Sequence, residues 1–203
     1  QFPHNRFVSK QAGVILPLIE AHGEESLLFT VRSTKLRSHA GQIAFPGGKM
    51  EQTDQNIQET SLREAQEEIG LAHSQVQIIG RLEEIISKHH YLVTPFVGIV
   101  DTSFIPTLNP EEIAEIFLVP LSFLMDENNH SYKEVKVKDR SPYLLHSFQY
   151  KQYNIWGLTA LLTLRLLEIG IGYQPPYPIH HPEGTTWMEN SQRFREKIKE
   201  SSL

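Results

Sequence analysis

The sequence predicts an α/β domain, and three observations carry that expectation. Runs rich in β-branched and aromatic residues, at 12–19, 26–32, 76–82 and 91–100, are bounded by turn residues and read as strands. Residues 55–69 contain no helix breaker and stop at Gly70, the pattern of a helix and its C-terminal cap. Residues 155–169 are apolar nearly all round and stop at Gly170, as a helix buried against a sheet does.

Taken in order, 12–19 and 26–32 form a strand pair separated by a polar turn containing Gly23. The helix over 55–69 comes next, then the strand 76–82 and a loop bearing Ser87, Lys88, His89 and His90. In the strand 91–100, Pro95 implies a bulge or an edge position because it cannot donate to a ladder. A short strand over 115–119 leads to Pro120. Residues 132–138 alternate like a half-exposed strand, and 143–150 can pair with them. After the apolar helix, 173–203 form an appendage to a main domain over 1–172. It begins with a stiff Pro-rich linker at 174–182. Thr186 and Glu189 then have capping-box spacing, and Trp187, Ser191, Phe194 and Ile198 fall on one helical face. That amphipathic helix is expected to fold back on the domain or onto a neighbouring subunit, which makes a homodimer one of the expected assemblies. His180 and His181, in a Pro-rich loop, are read as solvated rather than metal-binding.

Composition sets the outer bounds. The chain has 203 residues, enough for one domain with a sizeable core, and no internal repeat is evident. It contains no cysteine, so disulfides and thiolate chemistry are excluded and a reducing compartment is compatible. The expected location is cytoplasmic, or peroxisomal or mitochondrial for a eukaryotic chain. Gln1 is not a natural start, which leaves an upstream targeting segment open. The final Glu200-Ser201-Ser202-Leu203 lacks the basic residue of a peroxisomal signal and is not counted as one. A net charge of −5 argues against nucleic acid as a partner. No apolar run is long enough to cross a bilayer.

The chemistry concentrates at 45–71. On a helix, Glu64, Glu67 and Glu68 stand at i, i+3 and i+4, which puts three carboxylates on one side with Cβ atoms about 5–6 Å apart. Like charges at that spacing repel, and the C-terminal end of a helix disfavours anions. A hard divalent cation compensates both costs, and Mg²⁺ characteristically takes one or two carboxylates and leaves its other positions to water and phosphate oxygens. The triplet therefore points to a metal-dependent phosphate site; a solvated acidic face is the alternative.

Charge is segregated just upstream. Residues 27–50 carry Arg32, Lys35, Arg37 and Lys49 without one acid, and 51–70 carry six acids against Arg63 alone. A basic loop beside an acidic metal helix suits a polyanion whose diphosphate bridges the metal while a further phosphate meets Arg or Lys. An ordinary exposed basic loop is the plainer reading of the same charges.

These residues resemble the Nudix box, G-x5-E-x7-R-E-U-x-E-E-x-G-U, with Gly48, Arg63, Glu64, Ala65, Glu67, Glu68, Gly70 and Leu71 in place. Asp54 stands where Glu is usual, and eight residues rather than seven separate it from Arg63. The resemblance implies a Nudix-type α/β/α sandwich around a mixed sheet, here with an extra C-terminal helix. It implies Glu64 and Glu68 as the main ligands of Mg²⁺ or Mn²⁺, and Glu67 as a further ligand or a water-orienting group. The Gly48 carbonyl is implied as an additional ligand, and Arg63 as the residue that pairs within the helix and fixes the carboxylate rotamers. Outside the box, Glu112 is the expected extra carboxylate, for water activation or a second metal; a dipole-complementing acid is its other reading.

A narrower resemblance lies upstream. Ser33-x3-Arg37-x3-Gly41-x3-Phe45-Pro46-Gly47-Gly48, preceded by Leu28-Phe29-Thr30, is similar to the signature of the coenzyme A diphosphatase subgroup, which usually begins Leu-Leu-Thr. Val93 to Gly98 and Trp156 to Ala160 resemble further segments of that subgroup. The implied activity is metal-dependent hydrolysis of the diphosphate bond of coenzyme A or acyl-CoA. Arg32, Lys35 and Arg37 are expected at the 3′-phosphate or the diphosphate, and Gly47 and Gly48 let backbone approach the phosphates. The rival readings are a Nudix hydrolase of ADP-ribose, NADH or a dNTP, and a non-catalytic Nudix ligand sensor. The sensor reading is disfavoured because all three box carboxylates are present.

Overall fold

The computed structural model of the chain describes residues 10–36, 38–87, 89–136 and 143–175. Strands β1 (Lys10–Ala21) and β2 (Glu24–Arg32) form a hairpin that turns at His22 and Gly23, both at positive φ. They pair only from Leu18↔Leu27 to Ala21↔Glu24 and then part. Two short strands fill the fork. β3 (Ile43–Ala44) lies on β2, and β4 (Gly47–Lys49) lies on β1 through Ala12↔Lys49, Gly13↔Gly48 and Val14↔Gly47. The Gly- and Pro-containing basic segment was expected to be loop, and pairing across the fork is what orders it.

Helix α1 (Ile57–Ile69) starts at Asn56, whose side chain accepts from Glu59 N at 3.0 Å. It ends at Gly70, with φ 74°, where Gly70 N donates to Gln66 O and Leu71 N to Ala65 O. Strands β5 (Val76–Arg81), β6 (Ile85–Ile86), β7 (Tyr91–Val100) and β8 (Ile113–Pro120) complete an eight-stranded sheet. β7 runs parallel to β1, and the other pairings are antiparallel, so the sheet is mixed. Short helix α2 (Leu121–Met125) leads to a second, antiparallel sheet of β9 (His130–Val135), β10 (Tyr143–Tyr150) and β11 (Tyr153–Trp156). Helix α3 (Leu158–Leu166) follows and runs into a π-helical turn over Leu167–Ile171.

The period-2 alternation of the strands sorts side chains into two cores. Ile15, Leu28 and Ile113 pack under α1 with Ala65, Ile69 and Leu71. Leu16, Leu18, Leu27, Phe29 and Val97 face the other way, against Ala160, Leu162, Leu164 and Leu166 of α3. Helices thus cover both faces of the mixed sheet, the α/β/α arrangement expected. Each fully buried Leu, Ile or Phe contributes about 1.5–3 kcal/mol. The close seat of α1 depends on Gly13, where a Cβ would stand 2.4 Å from Ile57 O.

Two expectations need correction. Residues 155–169 are not one helix: Tyr153–Trp156 pairs with β10, and Gly157, at φ 65° and ψ −132°, separates that strand from α3. Apolarity alone does not distinguish a buried strand from a buried helix. Pro95 is neither on an edge strand nor in a bulge of its own strand, because β7 has neighbours on both sides. Its carbonyl accepts from Leu82 N at 2.9 Å, where pairing passes from β5 to β6, so its missing N–H faces that gap. The expected strand over 132–138 is observed as β9 up to Val135, and 137–142 lie outside the described residues. The Pro-rich linker from 176 on and the C-terminal helix also lie outside them.

Candidate active site

The fork between β1 and β2 delivers the Gly47–Gly48 backbone to the carboxylate side of α1. Gly47 N donates to Glu68 Oε2 at 3.1 Å, and a Cβ on Gly48 would stand 2.4 Å from the Glu64 carboxylate. Gly47 itself has φ 151°, and a Cβ there would stand 2.4 Å from Gly13 O. Both glycines are required by close approach.

Glu112 reaches the same place from the turn before β8. The loop before it closes on the C-terminal end of α1: Thr107 N donates to Ile69 O at 2.9 Å and Asn109 N to Glu68 O at 3.0 Å. These bonds satisfy carbonyls that have no partner within the helix. The turn continues through Glu112 N to Asn109 O, and Ser33 N donates to Glu112 O at 2.7 Å. Carboxylate oxygens of Glu64, Glu68 and Glu112 then lie within 4.8 Å of one another. The neighbouring Glu111 points elsewhere, to an exposed contact with Lys35 Nζ at 2.6 Å.

Burial and like charge make this group electrostatically costly. Glu68, 2% exposed, is pushed up to about 8, first by desolvation and then by the charges of Glu64 and Glu112. The Gly47 N–H and Arg32 oppose that rise, Arg32 through Nη1 at 3.5 Å. Burial also raises Glu64, against Arg63. Arg32 Nε is buried and has no hydrogen-bond partner among the described residues. Three converging hard oxygen donors, two of them reluctant to ionise unaided, fit a divalent cation such as Mg²⁺ or Mn²⁺.

Arg63 is the hub behind the group. Its Nε lies 2.8 Å from Asp54 Oδ1, Nη1 2.9 Å from Glu67 Oε2, and Nη2 3.2 Å from Glu64 Oε1. Nη2 also donates to Lys49 O at 3.1 Å. Asp54 is buried and further accepts from Thr60 Oγ1 and Glu51 N, and the Arg63 guanidinium holds its carboxyl well below the usual range. Arg63 is raised in turn, with Asp54 the leading cause. Among the described residues Arg63 contacts carboxylates and a backbone carbonyl.

The sequence-derived sites sort as follows. Glu64, Glu68 and Glu112 come together, and Gly47 and Gly48 lie against them. Glu67 does not join: its side chain is 53% exposed and sits on Arg63. At about 100° per residue, Glu67 projects well away from Glu68 and back toward Arg63. Arg32 contacts Glu68 rather than open solvent, and Lys35 is held by Glu111. Arg37 lies outside the described residues. The His89 ring meets His39 edge-on at 4.8 Å, and His90 is exposed at φ 61°. Sequence reasoning undervalued Asp54, whose signal was its place in the box's first acidic slot. Among the described residues no helix is long and apolar enough to cross a membrane.

Comparison with known proteins agrees with this geometry. The family described as NUDIX domain matches residues 9–138. The uncharacterized Nudix hydrolase NudL of Photorhabdus laumondii is 41% identical over 79% of this chain and 84% of its own. Nudix hydrolase 15, mitochondrial, of Arabidopsis thaliana is 39% identical over 85% of this chain and 63% of its own. The peroxisomal coenzyme A diphosphatase NUDT7 of Mus musculus is 34% identical over 87% of this chain and 77% of its own. With the box residues on α1, the carboxylates gathered at its end and these relatives, the chain belongs to the Nudix hydrolases and is a diphosphatase of that family.

Proposed function

We propose that the chain hydrolyses the diphosphate bond of coenzyme A or an acyl derivative. The products are 4′-phosphopantetheine, or its acyl form, and adenosine 3′,5′-bisphosphate. The observation that carries the chemistry is the group of Glu64, Glu68 and Glu112, with oxygens within 4.8 Å of one another. The substrate rests on the upstream signature ending in Gly47-Gly48 and on the mouse relative named as a coenzyme A diphosphatase.

In this reading Glu64 and Glu68 hold Mg²⁺ or Mn²⁺, with Glu112 beside them. A divalent cation held there would supply charge neutralisation at the diphosphate and a lowered pKa for water. Glu112 would orient a water or accept its proton as the water oxygen attacks phosphorus and the bridging P–O bond breaks toward the other phosphate. Glu67 is less suited to this, since Arg63 already holds it. Arg63 fixes the Glu64 rotamer from behind, and Gly47 N–H fixes that of Glu68. In this reading Arg32, whose Nη1 lies 3.5 Å from Glu68 Oε1, also meets a phosphate oxygen.

Product analysis with Mg²⁺ or Mn²⁺ on coenzyme A, 3′-dephospho-coenzyme A, ADP-ribose and NADH tests the reading. It expects cleavage of coenzyme A to adenosine 3′,5′-bisphosphate, weakened without the 3′-phosphate. Preference for ADP-ribose or NADH would keep the carboxylate site and remove the substrate assignment.

A further inference from the structure

Lys10 at the start of β1, Lys49 at the end of β4 and Tyr91 at the start of β7 meet at one corner of the sheet. The register sets Lys10 opposite Tyr91 and Lys49 opposite Ala12, so the three side chains leave the same face. Each ammonium lies 5.7 Å from the centroid of the Tyr91 ring. Two cations drawn to one ring repel each other, and among the described residues neither has a carboxylate partner within ion-pair distance. The trio lines an open cavity of about 760 Å³ together with Met50, Gln52 and Asp54. Asp54 is neutralised by Arg63, while Glu51 on the same wall remains exposed to solvent.

The backbone of Lys49 borders the carboxylate site, while its side chain leaves the opposite face of the sheet from Gly48. Arg63 Nη2 bonds both Lys49 O and Glu64 Oε1, so a single nitrogen links the cavity wall to the metal-ligating side chains. Among the described cations of the basic segment, Arg32 is paired with Glu68 and Lys35 with Glu111, whereas Lys49 is in no ion pair with a described residue.

We propose that Lys10 and Lys49, spaced by Tyr91, form the subsite for a phosphate monoester on the substrate. If the substrate is coenzyme A, that group is its 3′-phosphate; this assignment rests on the function proposed above. A phosphate dianion between the two ammonium groups removes their repulsion and gives each a charge-assisted hydrogen bond. Compact ammonium charges suit a phosphate that rotates freely, where no bidentate geometry is imposed.

Titration calorimetry with adenosine 3′,5′-bisphosphate and with AMP tests the subsite directly, because neither probe contains a diphosphate bond. Wild-type protein is expected to bind the bisphosphate at least about tenfold more tightly than AMP. In the Lys10→Ala/Lys49→Ala double variant that preference should fall to within about twofold, and in the Lys10→Arg/Lys49→Arg variant it should persist. A preference that survives both alanines, or its absence from the wild type, overturns the subsite. Turnover of coenzyme A by wild-type protein is scored separately. Preferential bisphosphate binding without cleavage of coenzyme A removes the substrate assignment and keeps the subsite. Cleavage with an unchanged preference in the alanine variant does the reverse.

Discussion

Asp54 and Arg63 form a two-pronged ion pair, Nε to Oδ1 at 2.8 Å and Nη2 to Oδ2 at 3.1 Å, that ties the turn before α1 to the middle of the helix. The pair is well shielded, with Asp54 2% and Arg63 20% exposed in their side chains. It fixes the guanidinium that in turn holds Glu64. Asp54→Asn should cost about 1.5–3 kcal/mol in urea unfolding at neutral pH, the worth of hydrogen bonds to a charged group. Turnover should drop about 10–100-fold, as for other residues that orient metal ligands. Because Asp54 is held low, the pair's stabilisation is present above the ordinary carboxylate range and is lost as pH falls through the depressed value. The variant should therefore lose less stability than wild type on acidification.

Two glycines separate fold from chemistry. Gly13→Ala would set a Cβ 2.4 Å from Ile57 O, against backbone that cannot step aside. It should lower stability by about 1–3 kcal/mol by prying α1 from the sheet, read by thermal melting. Gly48→Ala would meet the Glu64 carboxylate at the same distance. A side chain can yield, so this variant should stay folded and lose most of its turnover.

Glu68 gives the metal-free protein a pH dependence of opposite sign. Its carboxyl is pushed up to about 8 from an ordinary 4.5, so between those values the folded state holds a proton the unfolded state has released. That contribution is fully present below the ordinary value and is lost as pH rises through about 8. Melting in the presence of a chelator should show Tm falling between about pH 4.5 and about pH 8 and levelling off above that. Glu68→Gln should flatten that slope and raise the metal-free Tm at the alkaline end.

The adjacent acids before β8 make a paired test. Glu112 lies with Glu64 and Glu68, whereas Glu111 is 71% exposed on Lys35. Glu112→Gln should lower kcat by about 10²–10⁴-fold if it orients or deprotonates water. Glu111→Gln should leave kcat within about twofold and stability within about 1 kcal/mol, as for an exposed pair.

Much of this was legible in the sequence because it is local. The cap at Gly70, the i, i+4 spacing of Glu64 and Glu68 and the strand pattern of 91–100 are properties of short windows. β3 and β4 were not legible, since they exist only because β1 and β2 diverge and leave backbone to be paired. Tyr153–Trp156 was hidden inside an apolar run that suits strand and helix alike. The position of Glu67 depended on Arg63 competing for it, and the meeting of Lys10 with Tyr91 on a parallel pairing far apart in sequence.

The most direct test of the central claim is release of adenosine 3′,5′-bisphosphate from coenzyme A, measured against added Mg²⁺ or Mn²⁺ for wild type and Glu68→Gln. The account predicts release that requires the cation in wild type and falls by about 10²-fold or more in the variant, with the fold intact by circular dichroism. Equal release by the variant, or release by wild type in the presence of a chelator, would contradict it.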